Sequence, residues 1–306
     1  MSQPSALVVF ICLCLRTLAH GQPPTPQQIR QKIAQDIVDL KGPTVKVGSI
    51  TDQKIPEVGA DSVPIRIYRP SQGEPTAPRL VTNLPLVYFI HGGAWIAGDL
   101  KTHDNICRRL CHDANVVLVA VHYRRPPESP YPASHDDVMT VLNWIQANRA
   151  SLSASGPLIL LGESAGGNLV ASTCLRNIDA PEPVPIAAQI LICPALDVRP
   201  GSVTFKTYEW AVRAGLPDIA KANETYASPL VSTQLKKLPP TSIAVEDMDE
   251  IKDDGIQMHQ KLLAAGVKST LFNQEKIGHL GPFWAANNPV IEPTLKFILE
   301  QIAAVK

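Results

Sequence analysis

The chain has 306 residues, of which 45% are apolar and 18% charged, with 28 basic residues against 28 acidic ones. That length and apolar fraction can bury one large core, and the balanced charge excludes the broad field carried by a nucleic-acid or anionic-membrane binder. A small neutral partner fits this composition, and no internal repeat, heptad run or low-complexity tract signals a second domain.

In chain order, Ala6 to Leu15 (ALVVFICLCL) come first as an uncharged apolar run too short to span a bilayer, with small residues following at Ala19 and Gly21. The expectation is a secretory signal over residues 1–21, a mature chain starting at Gln22, and no stable membrane insertion. An uncleaved anchor or a buried helix is the alternative, because no basic residue precedes the run and Arg16 follows it. Cleavage would remove Cys12 and Cys14 and leave Cys107, Cys111, Cys174 and Cys193, an even set that suits an oxidising compartment without requiring disulfides. The sequon Asn223-Glu224-Thr225 agrees with secretion.

Beyond it, short β-branched runs (VPIRIYR, PLVYFI, VVLVAV, PLILL, IAAQILI, TSIAV, STLF) alternate with helical spacing over 102–114, 135–149, 165–176, 251–265 and 290–304. This predicts a single α/β domain over residues 22–306, whose mostly parallel sheet is covered by helices on both faces and presents its reactive residues at the carboxyl ends of the strands. The Ile65, Ile67 alternation of VPIRIYR reads as an antiparallel edge. SHDD at 134–137 reads as a helix N-cap with carboxylates favourable to the helix dipole.

The segment PLILLGESAGGNLVASTCL carries chemistry. A strand ending near Leu161 runs through Gly162-Glu163-Ser164-Ala165-Gly166 into a helix, which is the G-x-S-x-G nucleophile elbow in its strand-turn-helix setting. A serine needs a base and an acid that orients the base. Downstream, His259 lies mid-helix, whereas His279 lies in a loop after STLF and is the candidate base. The acid belongs after TSIAV, where the residues alone leave Asp247 and Asp249 open. Gly92 and Gly93 of HGGAW, after PLVYFI, offer bare backbone to a tetrahedral oxyanion, with Ala165 N–H as a third donor. Glu163 reads as a holder of neighbouring backbone or of Arg124. His103, Cys107, Cys111 and His112 imitate a metal cluster on one helix, but the context is a covering helix, so neither metal nor cofactor is expected.

Together these residues resemble the hormone-sensitive-lipase-like esterases of the α/β-hydrolase fold, over nearly all of the chain from about residue 25. VPIRIYRP is similar to that family's opening strand, HGGAW to its oxyanion motif, VHYRRPPESPYPASHDD to its Pro-rich stretch, GESAGGN to its elbow and YASPL to its Ser-Pro-Leu loop. The resemblance of DEIKDDGIQMHQKLLAAGV to the family's acid segment selects Asp249 over Asp247 and gives His91 a loop-shaping role. It implies a sheet of about eight strands, a small helical cap and a cofactor-free serine ester hydrolase. Two departures are Ala94 in place of a third glycine and a shortened segment between Asp197 and Tyr226.

The residues available to roof the site lie at about 22–42 and 198–227, too few for a large lid. The expected substrate is therefore a short-to-medium acyl or small-molecule ester, with Trp95, Tyr208 and Trp210, and beside them Phe205 and Trp284, as pocket residues. A homodimer is left open. The alternative function is a non-hydrolytic use of the same fold, either a small-molecule receptor or a lyase or cyclase that borrows the oxyanion donors.

Overall fold

The computed structural model describes residues 25–40, 43–56, 62–71, 84–279 and 288–305. The expected signal segment 1–21 and Trp284 lie outside them. In chain order the described elements are α1 (Pro26–Leu40), β1 (Ser49–Ile55), β2 (Val63–Arg69), β3 (Leu86–Ile90), α2 (Asp104–Ala114), β4 (Val117–Val121), α3 (Ala133–Ala147), β5 (Leu158–Glu163), α4 (Ala165–Ile178), β6 (Ala188–Ile192), α5 (Val203–Gly215), β7 (Thr241–Glu246), α6 (Lys252–Ala264), β8 (Ser269–Gln274) and α7 (Glu292–Ala303).

The eight strands form one sheet in the order β1-β2-β4-β3-β5-β6-β7-β8. Pairing from β4 to β8 is parallel, and β1 and β2 join antiparallel. The fold is the α/β-hydrolase fold. VPIRIYR is antiparallel as expected but is not the edge, because β1 (SITDQKI) pairs outside it, with Ser49 opposite Arg69. The polar β1 sequence is exposed along most of its length, so no hydropathy signal marks it.

Strands β3, β4, β5 and β6 are buried throughout, and their alternating side chains divide between two apolar layers. Leu86, Tyr88 and Ile90 pack with α3, α4 and α6 through Val138, Leu169 and Met258, while Val87 and Phe89 pack with α2 and α7 through Ile106, Leu110, Leu295 and Ile298. Both faces are thus covered, and the chemistry is left to the strand ends.

Two helices fall in the segments expected to form a cap. In α1, Ile29 is buried. Helix α5 is capped by Ser202, whose hydroxyl accepts from Phe205 N, and it is kinked at Tyr208. Its start is tied to α6 by buried Asp254, which accepts from Leu196 N, Asp197 N and Thr204 Oγ1 at 2.7, 3.0 and 2.7 Å. The expected cap at SHDD is corrected: α3 begins at Ala133 with Pro132 at the N-cap position, Ser134 Oγ pairs with His135 Nδ1, and buried Asp137 binds Arg124.

Candidate active site

Strand β5 delivers Glu163 and Ser164 at its carboxyl end. Ser164 has φ 52° and ψ −119°, a left-handed conformation that costs a non-glycine residue of order 1–3 kcal/mol and is held by Ser164 N donating to Ile192 O at 2.8 Å. The turn is sharp enough that a Cβ on Gly166 would strike Ile90 O, so the residue there has none.

His279 comes from the loop after β8. Its Nε2 lies 2.9 Å from Ser164 Oγ and its Nδ1 2.8 Å from Asp249 Oδ2. Asp249 follows β7 and is 3% exposed, and its second oxygen accepts from Ile251 N at 2.9 Å. Asp247, the other candidate, instead accepts from Ile277 N at 3.3 Å and steadies the loop that carries His279. Burial alone would lower the His279 pKa, but the Asp249 charge and hydrogen bond outweigh it, so the imidazole lies above its ordinary value. The arrangement matches a nucleophile, its base and the acid that fixes the base's tautomer.

The loop after β3 turns through three consecutive left-handed residues, Gly93 (φ 112°), Ala94 (φ 50°) and Trp95 (φ 61°). Its carbonyls are held from four directions. Tyr123 Oη donates to His91 O at 2.8 Å, His91 Nδ1 to Gly92 O at 2.8 Å, Arg30 Nε to Ile96 O at 2.8 Å and Arg125 to Gly98 O at 2.6 Å. Buried His91 stacks on Tyr123, with centroids 4.3 Å apart, consistent with a loop-shaping role.

The expectation for Gly92 is corrected: its N–H donates to the Glu163 carboxylate and is not available to an oxyanion. Among the described residues, no protein acceptor meets the N–H groups of Gly93, Ala94 or Ala165.

The α/β-hydrolase-fold family matches residues 87–281. The chain belongs to this family, in its hormone-sensitive-lipase-like branch. The carboxylic ester hydrolase LipN of Mycobacterium tuberculosis is 33% identical over 245 residues, which are 74% of this chain and 62% of LipN, less than two thirds of that relative. Esterase LipI of the same organism is 32% identical over 72% of this chain and 71% of its own. A hyperthermophilic esterase from the archaeon Pyrobaculum calidifontis superposes with a TM-score of 0.85 at 26% identity, covering 99% of both chains.

In this family member a pocket is walled in part by Trp95, on the loop after β3, and by Asn168, Val198, Ala211, Val212 and Leu216, and none of Ser164, Asp249 and His279 lines it. Tyr208 sits over the base, its ring centroid 5.9 Å from that of His279. Trp210 packs against the apolar core and is not on the pocket wall, and Phe205 is buried under Arg213.

His103, Cys107, Cys111 and His112 do not converge: His103 binds Glu163, the two thiols are buried in the α2 layer, and His112 pairs with Asp113. Burial pushes the Cys111 thiol up to about 12. Among the described residues, the group close enough to share a metal ion is Cys193, Asp249 and His279, with ligand atoms within 4.8 Å of one another, and two of these are the acid and base above.

Glu163 holds backbone, as one sequence reading has it, but not Arg124, which forks onto Asp137. Its second partner is His103. Nothing in the sequence marks that contact, which joins residues sixty positions apart.

Proposed function

We propose that this protein is a serine carboxylesterase acting on short-to-medium acyl or small-molecule esters through an acyl-enzyme on Ser164. The observation that carries the proposal is the unbroken chain Ser164 Oγ, His279 Nε2, His279 Nδ1, Asp249 Oδ2, with contacts of 2.9 and 2.8 Å. The relatives named above are esterases, which supports the same chemistry.

In this reading the Ser164 hydroxyl attacks the ester carbonyl carbon while His279 Nε2 takes its proton. Asp249 accepts from Nδ1–H and stabilises the imidazolium. The carbonyl oxygen becomes an oxyanion between the N–H groups of Gly93, Ala94 and Ala165, each worth about 3 to 4 kcal/mol to the transition state. Collapse breaks the bond to the alkoxy oxygen, which leaves with the proton from His279. Water, activated by the same imidazole, then hydrolyses the acyl-enzyme. The acyl group occupies the pocket walled by Trp95, Val198, Ala211 and Val212, and Tyr208 closes the site above His279.

Purified protein should hydrolyse p-nitrophenyl butyrate and be labelled on Ser164 by a fluorophosphonate. Absence of both would overturn the proposal. Labelling without ester turnover would favour the lyase reading, to be settled by product analysis.

Secretion after removal of residues 1–21 belongs to the same proposal, supported by the apolar run at Ala6 to Leu15 and the small residues Ala19 and Gly21. No helix among the described residues is long and apolar enough to cross a membrane. Expressed in a eukaryotic secretory host, the protein should reach the medium with Gln22 at or near its N-terminus, whereas full-length chain in the membrane fraction would establish an anchor.

A further inference from the structure

Glu163 is a carboxylic residue with no exposure to solvent, one position before the nucleophile. A buried carboxylate is costly unless hydrogen bonds replace its water. Here one oxygen, Oε1, accepts from two donors, the Gly92 N–H and His103 Nε2, the latter at 2.9 Å. The approach is close enough that a Cβ on Gly92 would collide with the carboxylate, so glycine is required at that position.

His103 is buried and itself fixed. Its Nδ1 lies 2.9 Å from Thr102 Oγ1, and Thr102 is locked in a turn with Asp99, whose carboxylate accepts from Thr102 N at 2.8 Å and whose N–H donates to Thr102 Oγ1 at 2.8 Å. Both ring nitrogens therefore face oxygen, and the ring bridges the far end of the 91–103 segment to the nucleophile elbow.

The topology gives this bridge a consequence. Strands β3 and β5 are parallel neighbours, with Ile90 opposite Gly162. The oxyanion donors come from both strand ends, Gly93 and Ala94 after β3 and Ala165 after β5, so their separation is set by whatever joins the two ends. The Glu163 carboxylate joins them at Gly92, the peptide immediately before the donor strip. We propose that Glu163 and His103 are positioning residues that hold the Gly93 and Ala94 N–H groups at the spacing a tetrahedral oxyanion needs. The proposal rests on the esterase reading above. It assigns the pair no proton transfer and no contact with substrate.

A donor strip out of place weakens transition-state binding without weakening ground-state binding, so the loss should appear in kcat rather than KM. Glu163→Leu, which removes the acceptor at similar volume, and His103→Phe should each lower kcat for p-nitrophenyl butyrate by about 10- to 100-fold with KM within about threefold. Glu163→Gln keeps an oxygen for Gly92 N–H and should stay within about fivefold of wild type.

The readout that a merely structural role would not move is the affinity for a trifluoromethyl ketone, which forms the tetrahedral adduct. It should weaken by the same factor as kcat/KM across the three variants. Wild-type kcat in His103→Phe, a loss carried by KM, or unchanged ketone affinity in a slow variant would overturn the proposal. Should Glu163→Leu fail to fold, His103→Phe against Glu163→Gln carries the same comparison. A wild-type protein that hydrolyses no ester overturns the esterase reading, an outcome distinct from an active wild type with fully active variants, which overturns the positioning role alone.

Discussion

Asp249 Oδ2 lies 2.8 Å from His279 Nδ1, while Asp247, two residues earlier, reaches backbone at Ile277. The two acids at the end of β7 thus do different work, one holding His279 and the other the loop that carries it. Asp249→Asn should lower kcat/KM for a p-nitrophenyl ester by about 10³- to 10⁴-fold, since an amide in place of the carboxylate favours the wrong tautomer. Asp247→Asn keeps an acceptor for Ile277 N and should cost less than about tenfold. Comparable losses in steady-state assays would reverse this division of roles.

The same contact sets the pH dependence. The His279 pKa is raised, since the Asp249 charge and hydrogen bond outweigh the opposing effect of burial. His279 must be neutral at Nε2 to accept the Ser164 proton, so activity is present above its pKa and is lost as pH falls through it. The acid limb of kcat/KM should therefore lie above the ordinary imidazole value of about 6.5. In Asp249→Asn, the residual activity should show the limb displaced to lower pH. A limb that stays in place would assign the titration to another group.

Ser164 owes its left-handed backbone to the elbow and not to packing of its small side chain. Ser164→Ala keeps that backbone and removes the nucleophile, so turnover should fall by about 10⁴-fold or more while the melting temperature stays within a few degrees of wild type. Retention of more than a few per cent of esterase activity would place the nucleophile elsewhere.

How far the sequence led can be judged at particular residues. Ser164, His279 and the pair Asp247/Asp249 stand out because an elbow, a loop histidine after a strand and an acid after the preceding strand are local patterns, and seven of the strands carry β-branched runs. Strand β1 does not, being polar on both faces. Which N–H groups face an oxyanion was equally hidden, because Gly92 is diverted by a carboxylate 71 positions away. Side-chain pairings across a sheet depend on strand order, and neither periodicity nor spacing encodes that order.

Asp254 offers a test of stability. Burial pushes its carboxyl up to about 6, against the lowering effect of the bonds from Thr204, Asp197 and Leu196. Its folded pKa exceeds the unfolded one, so the native state holds the extra proton and stability declines as pH rises from about 4 to 6, by roughly 2 to 3 kcal/mol in all. Asp254→Asn keeps an oxygen for the three donors and removes the buried charge. Its melting temperature should exceed wild type at pH 8, with the gap closing below pH 5. A variant less stable at every pH would show that the charge-assisted bonds outweigh the burial.

A chain-length preference is expected from the pocket. The pocket bounded by Trp95, Val198, Ala211, Val212 and Leu216 is apolar along most of its wall and ends against helix α5. Each methylene buried there contributes about 0.8 kcal/mol, or about fourfold in kcat/KM, until the wall is reached. Among p-nitrophenyl esters, kcat/KM should rise from acetate to about butyrate or hexanoate and fall by dodecanoate. No jump should occur as the substrate forms micelles. Val212→Phe puts a ring into the pocket and should move the optimum toward acetate, while leaving fluorophosphonate labelling of Ser164 intact. A rate that climbs through palmitate in wild type, or an optimum unmoved by Val212→Phe, would place the acyl chain outside this pocket.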